Sequence, residues 1–544
     1  MKLVSTTEMQ QVEREANANG LSYEIMMQNA GTGLAEQILT RFNSLKEKEI
    51  LGLVGSGNNG GDTLVALAKM AEAGWSASAY LARSRAKDDP LIEHLVAKGG
   101  MIVDAAEDEK FKQLKSLIKN HSIIMDGVLG TGIQLPLRGT VKTVLETVRK
   151  LIVQLESKPV IVAVDCPSGI DCDSGEAAAE CLAADLTVTM AAVKQGMLRF
   201  PANNLIGELS LVGIGLRDQD ERSPIWQGIK REIVTAQLVN EHLPVRARDA
   251  HKGTFGTALI IAGSLNFTGA ALLAGKAAYR AGVGLVTTAV PAPLHCALAG
   301  QFAEGTWLLL PHEMGVIADS AAEVVLENLG NASAILIGPG FGQEDTTQNF
   351  LSRLLSESPG AKQSRIGFVA MQEHGTAAKK RELAPMVIDA DGLKLLSKIS
   401  GWMEKFSHPA ILTPHPGEMA VLTGLGIGEI QENRLEIAER YANEWGHVVV
   451  LKGANTVVAE PGGRTALVPI ATPALARAGS GDVLAGVITS LRAQGLGAYE
   501  AAICGTWMHA QSGLLAAESL GTNSSVLAGD LVNALPEVFK LLGR

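Results

Sequence analysis

The chain has 544 residues, more than one hydrophobic core can serve, since single cores stop growing near ~250–300 residues. With 47% apolar and 19% charged residues it is globular rather than disordered, and a formal charge of −10 excludes any general attraction for nucleic acid or an anionic membrane. The opening MKLVSTTEMQQVEREANANG lacks the apolar centre of a signal peptide and no apolar run approaches ~18 residues, so a cytoplasmic location with no membrane partner is expected.

From Ile50 the first half repeats an apolar run, a Gly- or Asp-rich turn and a helix-like stretch, the alternation of a mainly parallel sheet covered on both faces. Strands are expected at Ile50–Val54, Ser76–Leu81, Ile123–Met125, Val160–Val164 and Leu186–Met190, and the run Leu209–Gly215 ends this half. Residues 217–240 are polar and weakly periodic and predict the connection, giving domains at 1–220 and 241–544 with a linker at 221–240. The alternation restarts with Ala258–Ala262, Leu285–Val290, Ala334–Ile337, Met386–Ile388, Ala410–Leu412 and Val448–Leu451. Thr456–Ala459 and Thr465–Pro469, around Gly462-Gly463, read as a hairpin, and helices dominate thereafter. Residues 355–384, charged and irregular, read as a surface insertion or mobile loop. Cys166, Cys172 and Cys181 lack CxxC or histidine partners and read as buried or incidental thiols.

In the first half, Val54-Gly55-Ser56-Gly57-Asn58-Asn59-Gly60-Gly61-Asp62 follows a strand and precedes a helix expected to begin near Thr63. Its amides and Asp62 offer oxygen ligands that a plain GxGxxG turn lacks; the plainer alternative is a glycine turn with an Asp cap. Two more strand ends, Met125–Gly132 and Val164–Asp171, deliver Asp126, Asp165 and Ser168 to the same sheet edge, a carboxylate and hydroxyl set that suits a hard cation.

In the second half, Ala476-Arg477-Ala478-Gly479-Ser480-Gly481-Asp482 runs into an apolar helix. Small residues before a helix N-terminus make an anion site, where Asp482 could accept a hydroxyl proton during attack on phosphate; Ser480 or Asp482 could equally cap the helix. Upstream, Leu451-Lys452-Gly453-Ala454-Asn455-Thr456 provides a basic side chain and a tight turn, and Thr413-Pro414-His415-Pro416-Gly417-Glu418 projects His415 and Glu418 from a strand end.

With Gly263-Ser264, Gly269-Ala270-Ala271, Arg280–Val286, Gly338-Pro339-Gly340 and Asp389-Ala390-Asp391, these loops resemble the ribokinase-like ADP-dependent NAD(P)H-hydrate dehydratase family across residues 245–542. Sugar kinases of that fold share the GxGD element but not TPHPGE; Thr472 and Ala478 depart from the family's commoner Asn and Gly. The resemblance implies that Lys452, Gly453, Ala454, Asn455, Thr456 and Gly481 contact the adenine nucleotide. It further implies that Ala270, Gly340, His415 and Asp482 contact the hydrated cofactor.

Residues 1–215 resemble the NAD(P)H-hydrate epimerase family. That resemblance implies K⁺ at Asn59, Asp126 and Ser168. It places hydrated cofactor along Asn58, Asn59, Gly60, Gly61 and Asp62, along Gly130, Thr131, Gly132, Ile133, Gln134, Leu135 and Pro136, and at Asp165, the chosen acid/base residue. A Rossmann-like three-layer αβα sandwich joined to a ribokinase-like αβα domain follows, and the fusion matches the bacterial bifunctional repair form. Hydrated NADH or NADPH, ADP and AMP are the implied small-molecule partners, Mg²⁺ is expected for phosphoryl transfer, and a homo-oligomer is expected. Two rival readings stay open: an ATP- and Mg²⁺-dependent kinase of a vitamin precursor, and a first half that binds or dimerises without catalysis.

Overall fold

The computed structural model describes residues 1–86, 88–217, 222–330, 332–356 and 383–544, which form two compact units, Met1–Arg231 and Glu232–Arg544. Among these residues no helix is long and apolar enough to cross a membrane.

The first unit is built on seven parallel strands in the spatial order Met101–Asp104, Ser76–Leu81, Glu49–Val54, Ile123–Gly127, Val160–Val164, Leu186–Met190 and Glu208–Val212. Alternation along the strand Glu49–Val54 divides the core: Ile50 and Val54 pack with helices Thr6–Ala18, Tyr23–Phe42 and Asn58–Glu72, while Leu51 and Leu53 pack with Lys112–Asn120 and Gly139–Gln154. A strand buried on both faces cannot alternate polar and apolar, which is why Leu-Gly-Leu-Val reads as one apolar run. The chain runs outward from Glu49–Val54 to one edge and then returns to build the other side from Ile123–Gly127. The order therefore reverses between these two strands, and ligand crevices open at such reversals.

The second unit contains a ten-stranded sheet ordered Arg231–Ile233, Thr465–Leu467, Val457–Ala459, Val448–Leu451, Ile411–Leu412, Met386–Ile388, Ala334–Ile337, Thr257–Ile261, Leu285–Pro291 and Thr306–Leu310. Val457–Ala459 and Thr465–Leu467 are antiparallel, as the glycine hairpin requires. Here the order reverses between Thr257–Ile261 and Ala334–Ile337. Helix Thr268–Arg280 lies close to Ser480–Ala493 because small residues face each other: a Cβ on Gly486 would collide with the Ala274 carbonyl. Mixed α/β architecture with mainly parallel sheets agrees with the expected fold class.

Two features differ from the sequence reading. Residues 217–240 are not a plain connection: the Ser223-capped helix Pro224–Gly228 buries Trp226 in the first core, and the Thr235-capped helix Ala236–His242 buries Val239 in the second. Helices with one apolar anchor are too short to display a period. The edge strands Met101–Asp104 and Thr306–Leu310 were absent from the sequence reading although each carries a short apolar run, because three or four residues are too few to show a period. Residues 355–384 lie, apart from their ends, outside the described residues. Cys166, Cys172 and Cys181 are buried free thiols, as expected.

Candidate functional sites

In the first unit the helix after Glu49–Val54 begins at Asn58, not near Thr63, so NNGGD is its opening stretch. Its N-cap is Gly57 and no side chain caps it, so Asp62 is not a capping residue. The glycines serve approach: a Cβ on Gly60 would collide with the Gly55 carbonyl, and one on Gly61 would stand 2.6 Å from Met27 Sδ. Gly60 and Gly61 thus seat the helix between the strand ends and do not line the cleft beside it.

That seating brings Asn59, Asp126 and Ser168 into one hydrogen-bonded chain. Asn59 Nδ2 donates to the Leu129 carbonyl at 2.8 Å, Leu129 N donates to Ser168 Oγ at 2.9 Å, and Ser168 N donates to Asp126 Oδ2 at 2.8 Å. Asn59 Oδ1 and Asp126 Oδ1 are left buried without a hydrogen-bond partner, an expensive arrangement unless something cationic meets them.

A cleft of about 440 Å³ opens beside this chain and is lined by Asn58, Asn59, Asp62, Gly130, Thr131, Gly132, Ile133 and Asp165. Gln134, Leu135 and Pro136, expected along the cofactor, do not line it; Leu135 packs against the core on the other face of the sheet. Asp165, at φ 63°, ends the strand Val160–Val164. Its Oδ1 accepts from Thr189 Oγ1 at 3.1 Å, from Met190 N at 2.9 Å and from the Lys194 ammonium. Burial works against that ammonium, but the adjoining Asp165 carboxylate outweighs it and holds the Lys194 pKa above its usual value. Burial, reinforced by Asp165 and Glu13, raises the Asp62 pKa above its ordinary value, and burial also lifts Glu13.

Lys194 and Glu13 were missed from sequence. Lys194 left a signal, a lone charge directly after the apolar Ala191-Ala192-Val193, whereas Glu13 sits in a polar amphipathic helix and left none.

In the second unit the strand-order reversal joins two loops: Gly263 N donates to the Pro339 carbonyl at 2.8 Å, and Gly340, at φ 66°, packs against Ala270 so closely that a Cβ would stand 2.9 Å from the Ala270 Cβ. The next strand ends carry the charged groups. Buried Asp389 receives Thr413 Oγ1 at 2.7 Å and Lys452 Nζ at 2.6 Å on the same oxygen, Oδ1, and Glu418 Oε2 stands 3.7 Å from Lys452. Burial opposes the Lys452 charge, yet Asp389 and Glu418 raise its pKa. Lys452 is therefore tied to carboxylates beneath Gly481 rather than standing free in its turn. In that turn Gly453 and Ala454 are exposed, Asn455 is buried at φ 53°, and Thr456 Oγ1 donates to the Gly453 carbonyl at 2.8 Å. Arg434, absent from the sequence reading, lies under the same turn and donates to the Leu451 carbonyl at 2.8 Å.

His415 does more than project. Its Nδ1 caps the helix Pro416–Thr423 by accepting from Gly417 N at 3.0 Å and Glu418 N at 3.3 Å, while Glu418 Oε2 accepts from His415 N at 2.9 Å. The exposed ring edge, Nε2, remains for a ligand, 3.3 Å from Glu418 Oε1.

Helix Ser480–Ala493 starts on Gly479, at φ 88°, with no side-chain cap; Ser480 Oγ donates backwards to the Leu475 carbonyl at 2.8 Å. Neither Ser480 nor Asp482 caps the helix; Ser480 N donates to the Arg477 carbonyl at 3.3 Å, and the N–H groups of Gly481 and Asp482 and the Asp482 carboxyl are left for a ligand. Burial, then the neighbouring Asp389, lifts the Asp482 pKa to about 7. His509, also missed, is fully buried, has an unpartnered Nε2, and is held neutral by burial with its pKa lowered to about 4. Thr472, where the family more often has Asn, performs a cap's task by accepting from Ala474 N at 3.3 Å.

Comparison with known proteins matches both halves. A family model described as NAD(P)H-hydrate dehydratase matches residues 258–537, and one described as YjeF-related protein N-terminus matches residues 23–196. The chain is similar to a bifunctional NAD(P)H-hydrate repair enzyme of Moorella thermoacetica, 34% identical over 100% of this chain and 97% of that protein. The protein of the same description from Escherichia coli is 31% identical over 97% of this chain and 92% of its own. Among solved structures, an ADP/ATP-dependent NAD(P)H-hydrate dehydratase from Bacillus subtilis co-crystallized with ATP/Mg2+ is 31% identical and covers 57% of this chain and 98% of its own, with a TM-score of 0.47. The chain belongs to the family of bifunctional NAD(P)H-hydrate repair enzymes.

Proposed function

We propose that the two units divide the repair of one damaged coenzyme: the first interconverts the epimers of hydrated NADH or NADPH, and the second dehydrates the S-epimer at the expense of ADP, releasing NAD(P)H, AMP and phosphate. The observation that carries the second reaction is Asp482, an uncapped carboxyl in the first turn of an anion-binding helix with its pKa lifted to about 7, where a general base works best at neutral pH. Hydroxide is a poor leaving group. Asp482 takes the proton of the hydroxyl on the carbon beside the ring nitrogen as its oxygen attacks the terminal phosphorus of ADP and displaces AMP. The helix N-terminus at Gly481 neutralises the migrating phosphate. The nitrogen lone pair then expels phosphate, and the adjacent carbon gives up a proton to restore the ring. Ala270, Gly340 and the Nε2 edge of His415 frame the coenzyme, and the turn Lys452–Thr456, with Arg434 beneath it, receives the nucleotide.

In the first unit Asp165 is the base, and Asn58, Asn59, Asp62 and Gly130–Ile133 line the coenzyme's cleft. The unpartnered Asn59 Oδ1 and Asp126 Oδ1, with Ser168 Oγ close by, fit a weakly hydrated monovalent cation. K⁺ held there would fix the three loops and offset phosphate charge. Among the described residues no group of three or more His, Cys, Asp or Glu stands ready for a metal, which fits a Mg²⁺ brought in on the nucleotide phosphates. The test is incubation with chemically hydrated NADH and ADP: reduced-coenzyme absorbance recovers, AMP accumulates, and Asp482→Asn stops both. A stable phosphorylated product without recovery would replace this reading with a kinase.

A further inference from the structure

Four titratable side chains, Glu13, Asp62, Asp165 and Lys194, line the first unit's cleft together. They come from helix Thr6–Ala18, the fifth residue of helix Asn58–Glu72, the end of the strand Val160–Val164 and the short strand Val193–Lys194. Exposed Arg83, from the loop after Ser76–Leu81, completes the charged lining. Three carboxyl groups therefore share one buried ammonium. The ammonium is not shared equally: Lys194 is locked on Asp165 Oδ1, where Thr189 and Met190 N also converge. All three contacts fall on Oδ1, and Oδ2 carries none of them. Asp62 has no such neighbour. It is buried to 8% exposure and faces two carboxyl groups across the cleft.

We propose that Asp62 is the proton donor of the epimerisation, acting opposite the proton acceptor Asp165, with Lys194 as the positioning residue that decides which carboxyl holds the proton. Two carboxyl groups lining one cleft, one bound by an ammonium and the other not, are placed to divide the acid and base roles. The inference rests on the epimerase reading of this cleft. The carbon to be inverted bears both a hydroxyl and the ring nitrogen. Asp165 Oδ2 takes the hydroxyl proton as the O–H pair becomes the C=O bond. The C–N bond breaks with its electrons on nitrogen, and Asp62 supplies the proton to that nitrogen. Reclosure on the opposite face runs the same transfers in reverse: nitrogen returns a proton to Asp62, and Asp165 returns one to oxygen. No water, oxidant or metal is consumed.

The test measures exchange between separated epimers of hydrated NADH by the full chain across pH. Wild type is expected to lose activity at alkaline pH as Asp62 gives up its proton. Asp62→Asn is expected to lower kcat by roughly 10²- to 10⁴-fold with KM changed only a few-fold, and to lack the alkaline limb. An unchanged KM certifies a folded cleft. Lys194→Arg, which keeps the cation, is expected to retain the alkaline limb. Exchange at wild-type kcat in Asp62→Asn, or an alkaline limb that follows Glu13→Gln or Lys194→Arg instead, overturns the assignment. Solvent oxygen entering the product at every turnover in ¹⁸O-labelled water also overturns it, because C–O rather than C–N cleavage would then be operating. A wild-type chain that exchanges no epimers overturns the underlying reading of the unit, whereas active wild type beside an unimpaired Asp62→Asn overturns this inference alone.

Discussion

The two sites are built alike and poised differently. Each lies where the strand order of its sheet reverses, and each has an uncapped helix begun by glycine with an unpaired aspartate in its first turns, Asp62 or Asp482. In each, a buried lysine is spent on another carboxylate, Lys194 on Asp165 and Lys452 on Asp389. The difference lies in where the unpaired aspartate stands on its helix. Each has two carboxyl groups and one lysine about it and a raised pKa, Asp165, Glu13 and Lys194 around Asp62, and Asp389, Asp391 and Lys452 around Asp482, which is lifted to about 7. Asp482 is the third residue of its helix, in the turn whose N–H groups attract an anion, whereas Asp62 is the fifth, beyond that turn. In the proposed roles Asp482 accepts a proton beside a migrating phosphate and Asp62 donates one within its cleft.

The largest expected effects separate the two sites outright. Asp482→Asn should lower ADP-dependent recovery of reduced coenzyme by roughly 10²- to 10⁴-fold while epimer exchange continues, and Asp165→Asn should do the converse. Paired assays on one preparation check both, and loss of both activities in either variant would break the division of labour. Next in size, Lys194→Met should destabilise the first unit by about 3–5 kcal/mol, because it leaves Asp165 with a buried uncompensated charge; urea unfolding measures this, and Lys194→Arg should recover part of it.

Smaller still is a pH effect on the second unit. Asp482 has a folded pKa raised above its unfolded value, so the folded state binds more protons than the unfolded state between about pH 4 and 7. Stability from this group declines as pH rises through that window. Asp482→Asn should therefore be more stable than wild type at pH 8, by roughly 1–3 kcal/mol, with the gain vanishing near pH 4. An equal gain at both pH values would locate the strain elsewhere. The smallest effect concerns the cation: adding K⁺ should raise the first unit's Tm by a few degrees in wild type and not in Asp126→Asn, for which calorimetry in K⁺ and Li⁺ salts suffices.

Much was legible beforehand. Val160–Val164, Leu186–Met190, Ala334–Ile337 and Val448–Leu451 have the residues expected of them, because strands buried on both faces leave continuous apolar runs in the chain. The glycine loops, TPHPGE and GSGD were visible as local strings, since a close backbone approach needs glycine wherever it occurs. Edge strands and the anchors Trp226 and Val239 were not, because an apolar run of three or four residues or a single buried side chain is too short to show a period.

By itself, then, the order of residues determined two α/β units and the loops delivered to their sheet edges, because periodicity and turn chemistry are properties of neighbours along the chain. Only the tertiary structure decided which charges meet. Lys194 reaches Asp165 from 29 residues away, Lys452 reaches Asp389 from 63, and Asn59 and Asp126 are left with unpartnered oxygens across a strand-order reversal. Protonation depends on distance and burial in space, and neither is written in sequence spacing.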